Sequence, residues 1–300
     1  MILIWGPSND PAVERMVALL QGRGIDLVHV DERVLTTLRY DVMLGATPTG
    51  WIETRDRTVR VDELTGIYVR PGEVLPGTAT MASTTLLGIA SCARAVVVNR
   101  PWAGRSNWSK PFQLRLIAED GFNVPDTLVT TDPAAARAFL AEHERIIYKS
   151  VSGVRSIVAT LDLADADRLN DVVTGPVQFQ RWIEGGDVRV HVVGDRWFAT
   201  AVDSVVDDYR YASRDGADVA MAPIELPSEL GKRLVGLTQR MRLLVSGIDL
   251  RLTDRGEWFC LEVNPSPGFT FYEDATGQPV AEAIADLLVR GLPEVRTSAR

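Results

Sequence analysis

Gly247 to Glu273 reads GIDLRLTDRGEWFCLEVNPSPGFTFYE, two alternating runs flanking Asp254-Arg255-Gly256-Glu257. Such alternation around a short polar turn predicts a β-hairpin. With Arg255-Gly256 as the turn, residues whose numbers add to 511 face each other. Ile248 then meets Val263, Leu250 meets Leu261 and Leu252 meets Phe259, so one face is apolar and can lie on a core. The other face pairs Asp249 with Glu262, Arg251 with Cys260 and Thr253 with Trp258, and Asn264 lies two residues beyond Glu262 on the same side. Facing carboxylates on a ladder sit about 4.5–5.5 Å apart and repel. A divalent cation would offset that repulsion. Asp, Glu and Asn offer only hard oxygen donors, which suit Mg²⁺ or Mn²⁺ and not zinc. Mg²⁺ is commonly held by one or two carboxylates together with substrate phosphates, so the ligand this pattern points to is a nucleoside triphosphate. Taken alone, the acid pair reads more readily as a solvated surface hairpin than as a metal site, and a one-residue bulge would break the facing pair.

The whole chain sets the frame for that segment. Three hundred residues call for two or three packed units, and 46% hydrophobic with 24% charged residues is ordinary for a globular enzyme. A formal net charge of −8 argues against nucleic acid bound through a broad basic face. The first apolar run, Ile2 to Trp5, is too short for a signal peptide and has no basic leader. No apolar run approaches the roughly 20 residues of a membrane span. Cys92 and Cys260 are the only cysteines, which gives neither a disulfide framework nor a thiolate metal site, and a cytoplasmic location is the expectation. Cys260 is expected on the polar hairpin face near the metal, in a packing role.

From the N-terminus, Ile2 to Trp5, a helix with Val13, Val17 and Leu20 on one stripe, and Ile25 to Val30 form a β-α-β opening that predicts a parallel sheet. Gly6 is not followed by a G-x-G-x-x-G fingerprint. Residues 50–61 read as an exposed hairpin, Gly66 to Val69 as a buried strand, Thr78 to Arg94 as a helix and Ala95 to Val98 as a strand. Arg70, at the end of its strand, reads either as a solvated turn residue or as a group reaching a ligand. After the linker Asn99 to Trp102 comes a helix around Ser106 to Asp120 carrying Lys110, then the strand Thr127 to Thr130 and a helix capped by Asp132-Pro133. Arg145 to Lys149 is a strand ending in a lysine before the small-residue loop Ser150 to Ser156, whose backbone N–H groups can meet phosphates, although no Walker loop is present. Val177 to Ile183 is an apolar strand. In Val188 to Asp203 two strands join at Gly194-Asp195, with Arg189 and His191 on the polar face. The DDYRY segment, Asp207 to Tyr211, reads as loop, Glu229 to Leu244 as a helix, and Pro279 to Arg290 as the last helix before a polar tail.

These segments, in this order, resemble the ATP-grasp family, specifically its RimK-like branch with glutathione-synthetase-type relatives. The resemblance spans almost the whole chain. Lys110 stands at the family's first nucleotide lysine, YKSVSGVRS places Lys149 at the second, QRWIEGGDVRVHVVGDR matches the hinge and the acidic-plus-arginine segment, and GIDL…LEVNPSPG matches the metal hairpin. It implies an α/β (α+β) ATP-grasp fold with an N-terminal Rossmann-like pre-ATP-grasp domain over residues 1–100, a central subdomain over 101–183 and a C-terminal subdomain over 184–300.

It also implies roles. Lys110 and Lys149, with Ser152 and Gly153 in the loop behind Lys149, would meet ATP phosphates. Gln180, Trp182 and Ile183 would form the hinge around the adenine, and Asp187 would hold the ribose. Asp249, Glu262 and Asn264 would ligate Mg²⁺, while Arg189 and Arg210 would face the phosphates or the reacting carboxylate. Relatives commonly carry Glu after the hinge Gln, whereas Gln180 is followed by Arg181, which leaves recognition there to the backbone. Within the branch, GIYVRPGE, the run Asn99 to Pro133 and the DDYRY segment are similar to ligases that crosslink ribosomal peptides through side-chain esters or amides.

A carboxylate is a poor electrophile, and phosphorylation to an acyl phosphate lets a nucleophile displace phosphate, so catalysis consists of positioning and charge neutralisation. The first expectation is therefore an ATP-dependent carboxylate-amine ligase acting on an amino acid or peptide. The alternatives are a macrocyclase of a ribosomally made precursor peptide and a non-catalytic ATP- or peptide-binding module. The resemblance further implies a homo-oligomer.

Overall fold

A computed structural model describes residues 1–45, 47–55, 57–72, 78–151, 159–204 and 219–290. In the first part of the chain, β1 (Ile2–Trp5), α1 (Pro11–Gly22), β2 (Leu27–Val30), β3 (Arg39–Met43), β4 (Thr49–Glu53), β5 (Thr58–Arg60), β6 (Gly66–Val69), α2 (Thr78–Cys92) and β7 (Val96–Val98) follow in order. The sheet β2-β1-β6-β7 is parallel throughout, as the β-α-β opening predicts. Strand β1 is buried on both faces. Ile2 and Ile4 enter one core with α1, and Leu3 and Trp5 enter another with α2, the period-two division of a covered parallel strand. Asp10 caps α1 by accepting from the N–H groups of Ala12 and Val13. The exposed hairpin expected over residues 50–61 is β4–β5, and it gains β3 as a third strand.

The middle of the chain contributes α3 (Lys110–Glu119), β8 (Thr127–Thr130), α4 (Pro133–His143), β9 (Arg145–Ser150), β10 (Ala159–Asp162) and β11 (Val177–Arg181), giving the antiparallel sheet β10-β9-β11-β8. A 3₁₀ segment, Pro101–Trp108, precedes α3, so the helix starts later than the sequence suggests; Ser109 caps it. A second 3₁₀ segment, Leu163–Thr174, has no counterpart in the sequence reading. With α4 it covers one face of this sheet, around Phe179, Ile146 and Leu161.

The last part holds β12 (Gly186–Val193), β13 (Arg196–Ser204), β14 (Val219–Ile224), α5 (Ser228–Arg240), β15 (Val245–Leu252), β16 (Trp258–Asn264), α6 (Thr270–Thr276) and α7 (Val280–Arg290). Its sheet runs β14-β13-β12-β15-β16, all antiparallel. Val188, Val190, Val192, Ile248 and Val263 face α5 in one core. Helix α7 instead packs beside α1 on the first sheet, so the chain's end completes the core that its beginning opened. Asn99 joins these parts. Its amide donates to the carbonyls of Val245 (2.6 Å) and Pro265 (2.5 Å), and its oxygen accepts from the N–H groups of Leu244 (2.7 Å) and Val245 (3.1 Å).

Candidate active site

The hairpin β15–β16 forms, with a different turn from the one expected. Thr253 N–H bonds the Glu257 carbonyl (3.0 Å) and Gly256 N–H bonds the Thr253 carbonyl (2.9 Å), enclosing three residues with Gly256 at φ +79°. That loop is one residue longer than Arg255-Gly256 alone, and it favours glycine at its left-handed position. Near the turn the register is therefore offset by one: Leu252 meets Trp258, Arg251 meets Phe259 and Leu250 meets Cys260. A bulge at Leu261 then restores the expected register, so Asp249 faces Glu262, Ile248 faces Val263 and Gly247 faces Asn264. The acid pair survives because the bulge cancels the turn's shift. Cys260 does not stay on the polar face. It is fully buried with Leu250 and Val263, and burial pushes its thiol pKa up, so it is a core residue.

Three neighbouring strands stack the polar side chains in rows. Arg189, Asp249 and Glu262 form one row; His191, Gly247 and Asn264 form the next; Asp187, Arg251 and Phe259 lie on the other side. Arg189 Nη1 is 2.6 Å from Asp249 Oδ1, and Lys110 Nζ is 3.7 Å from Glu262 Oε2. Each carboxylate thus carries its own cationic neighbour. Lys110 reaches Glu262 because α3 is clamped on the edge strand. One turn along the helix, Gln113 accepts from Val263 N–H (2.9 Å) and donates to its carbonyl (2.7 Å). Asn123 caps the same edge, its carbonyl accepting from Cys260 N–H (2.8 Å).

Lys149, at the end of β9, donates to Gln180 Oε1 (3.2 Å), bringing these two predicted residues together. The N–H of Lys110 bonds the carbonyl of Val151 (3.4 Å), which ties the start of α3 to the end of β9. At the hinge, Asp187 accepts from Arg251 Nη2 (3.1 Å), and Arg251 Nη1 donates to the Ile183 carbonyl (3.1 Å). The Trp182 ring carries the guanidinium groups of Arg145 and Arg251 at 4.1 and 4.4 Å from its centroid. Arg181 lies 3.4 Å from Asp126 and 5.7 Å from the Phe259 ring. Between the hinge and the hairpin turn lies an open pocket of about 330 Å³. Ser152, Gly153 and Arg210 lie outside the described residues.

The donor set fits Mg²⁺ chemically: two facing carboxylates plus the Asn264 amide oxygen, which accepts from Ser266 N–H (2.9 Å) and has a second lone pair. Among the described residues no three His, Cys, Asp or Glu gather as a metal cage. Arg70 is engaged by the protein. It holds Asp10 (2.8 Å) and the carbonyls of Ser266 (3.0 Å) and Pro267 (2.9 Å), fixing the loop that follows Asn264. The PGFTFYE segment leads into α6, whose Tyr272 lies 5.5 Å from the Arg189 guanidinium.

Residues 108–288 match the RimK-like ATP-grasp domain. The chain belongs to the RimK-like ATP-grasp family. It is thus an ATP-binding enzyme of the ligase type, and ATP-grasp ligases use ATP with Mg²⁺. A probable alpha-L-glutamate ligase of Aliivibrio fischeri (strain MJ11) is 25% identical over 235 residues, 75% of each chain. Beta-citrylglutamate synthase B of Danio rerio is 29% identical over 211 residues, 66% of this chain and 51% of that protein. Among solved structures, the ATP-grasp ligase PsnB complexed with minimal precursor superposes with a TM-score of 0.81 at 26% identity, covering 97% of this chain and 98% of the other. The macrocyclase MdnC bound with precursor peptide MdnA, from Microcystis aeruginosa MRC, shares the fold at a TM-score of 0.81 and 21% identity, covering 97% and 99%. No helix among the described residues of this ATP-grasp ligase is long and apolar enough to cross a membrane.

His191 sits in the row beside Arg189 but is buried, 3.3 Å from the Gly268 carbonyl and edge-on to Tyr272 at 5.0 Å. Burial, with the Arg189 charge second, pushes its pKa down to about 3. The imidazole is therefore neutral at pH 7 and supports the loop after Asn264. In the unfolded chain its pKa is about 6.5, so between these values the unfolded state binds the extra proton and stability falls as pH drops. This one residue should cost up to about 1.4 kcal/mol per pH unit below about 6.5. Urea unfolding at about pH 7 and about pH 5 should show His191→Phe losing less stability than the wild type. Equal losses would mean that His191 titrates normally in the fold.

Proposed function

We propose that this ATP-grasp ligase joins the carboxylate of an amino acid or peptide to a nucleophile through an acyl phosphate, releasing ADP and phosphate. The observation that carries this reading is the row Arg189–Asp249–Glu262 with Lys110 beside it: two facing acids, each matched by a cation, on one sheet face. In this reading Asp249, Glu262 and Asn264 hold Mg²⁺, which supplies positive charge to phosphate oxygens. Lys110 and Lys149 contact the triphosphate as point charges. Arg189 orients the group being transferred, and Asp187 meets the ribose from the position Arg251 gives it. Trp182 and Ile183 flank the adenine at the hinge. Ser152, Gly153 and Arg210 keep the phosphate and carboxylate roles that the resemblance implies.

A peptide as the substrate is supported by the likeness to PsnB complexed with minimal precursor, at a TM-score of 0.81 and 26% identity. The macrocyclase reading therefore stands beside simple ligation. ADP release that depends on a candidate acceptor tests the ligase reading, and the product's mass separates the two. Loss of water within one peptide marks a macrocycle, and gain of a residue marks ligation. ATP hydrolysis indifferent to every amino acid and peptide acceptor would count against both.

A further inference from the structure

The run Pro265-Ser266-Pro267 follows Asn264 at the end of β16, and its two prolines leave it a single backbone N–H. That N–H, on Ser266, goes to Asn264 Oδ1 (2.9 Å), a turn that fixes one side of the amide oxygen. With no further donor of its own, the segment cannot continue a ladder, and its carbonyls are taken by side chains instead. Gln113 on α3 donates to the Val263 carbonyl (2.7 Å), and Asn99, just beyond β7, donates to that of Pro265 (2.5 Å). Arg70, just beyond β6, donates to those of Ser266 (3.0 Å) and Pro267 (2.9 Å), and His191 on β12 lies 3.3 Å from that of Gly268. Four elements thus grip the backbone on both sides of Asn264.

Arg70 is the cation of this set, and its hydrogen bonds are of the stronger, charge-assisted kind. Its Nη1 also reaches Ser266 Oγ (3.2 Å), while Nε donates to Asp10 Oδ2 (2.8 Å). The other oxygen of Asp10 accepts from the N–H groups of Ala12 and Val13 and caps α1. Asp10 therefore anchors the guanidinium to the first sheet's helix, and the guanidinium anchors the Ser266 turn. The Arg70 and Asp10 side chains are 16% and 21% exposed, so water screens the pair only in part. Resting on the reading of Asn264 as a Mg²⁺ ligand, we infer that Arg70 is a positioning residue for that ligand. From the first sheet it fixes the turn that aims the Asn264 oxygen, and so it sets the affinity for a cation it does not touch.

The chemistry of the ligand explains why such support matters. Mg²⁺ demands near-ideal geometry, and an amide has no net charge to offset a misdirected lone pair. Asp249 and Glu262 keep their charge whatever the loop does, whereas Asn264 depends on its turn. A lysine at residue 70 would keep the positive charge without the fork, since one ammonium cannot hold Asp10 and two successive carbonyls in the same arrangement.

The test titrates the full chain with Mn²⁺ in the presence of ADP, reads free Mn²⁺ by electron paramagnetic resonance, and records the metal-free Tm of each variant. Arg70→Met should weaken Mn²⁺ binding about tenfold or more, with Arg70→Lys between it and the wild type. Asn264→Ala should weaken binding as well. In the Asn264→Ala background, Arg70→Met should leave Mn²⁺ affinity where Asn264→Ala alone puts it while still lowering Tm, the non-additivity of residues acting through one ligand. Should Arg70→Met fail to fold, Arg70→Lys in the same two backgrounds decides. Wild-type Mn²⁺ affinity in the Arg70 variants, with Asn264→Ala weakened, overturns the assignment. Equal losses with and without Asn264 overturn it too, because Arg70 would then act on the fold at large. A wild type that binds no Mn²⁺, or an Asn264→Ala variant that binds it equally well, removes the metal reading itself, and the assignment falls with it.

Discussion

Glu262→Gln should lower acceptor-dependent ADP formation by at least about a hundredfold and leave the fold in place. The substitution keeps the side chain's shape and one oxygen but removes a full charge from the row. Asp249 would then face an amide, and Lys110, 3.7 Å from Glu262, would lose its counter-ion. On the proposed reading both changes act on the charge that steadies the phosphates, and electrostatic contributions of this kind carry about 10²–10³ in rate. Stability should move little, because the change also relieves a like-charge pair across the ladder. A coupled assay for ADP and a thermal melt on the same preparation check both halves. Turnover undiminished in a well-folded variant would show that Glu262 holds no catalytic cation.

The acid pair was legible in the sequence because alternation survives errors in the turn, but the path to it was not. The sequence does not announce that a three-residue turn and a bulge at Leu261 cancel, and Cys260 changes face between them. Strands β1, β6 and β8 appear at the bounds their apolar runs predict, since short runs between turn residues leave little choice. Strand β14 escaped notice because Pro223 interrupts it, which an edge strand tolerates. Helix α6 was hidden by the Pro-Ser-Pro-Gly run before it.

The groups that position the site were the hardest to see. Gln113 acts by clamping the backbone of a strand 150 residues away, and nothing local in α3 signals a partner at that separation. Arg251 was placed on the polar face by alternation, yet its task of joining Asp187 to the Ile183 carbonyl depends on how two sheets meet. Periodicity reports which side of an element a residue occupies, not what lies across from it.

Gly247→Ala should lower activity about as much as loss of Arg189 does, by roughly tenfold to a hundredfold, through displacement of a charge. A methyl group at Gly247 would overlap Arg189 Nη2 and stand 2.6 Å from its Cζ and 2.6 Å from Pro267 Cβ. These distances are far inside van der Waals contact. The guanidinium is the softer obstacle, yet it is buried, bonded to Asp249 at 2.6 Å and stacked against Tyr272, so it can yield only by leaving its seat over the acid pair. Overpacking of this kind costs about 1–3 kcal/mol of stability. A double-mutant cycle isolates the cause. In an Arg189→Ala background the space is vacated, so Gly247→Ala should add little further loss of turnover, the non-additivity expected of residues in contact. Independent, multiplying losses would mean that Gly247 acts elsewhere, through Pro267 and the loop after Asn264. The absence of a side chain at residue 247 is thus predicted to be a functional requirement: the row of His191, Gly247 and Asn264 is left empty at its centre so that Arg189 of the neighbouring row can lie across it.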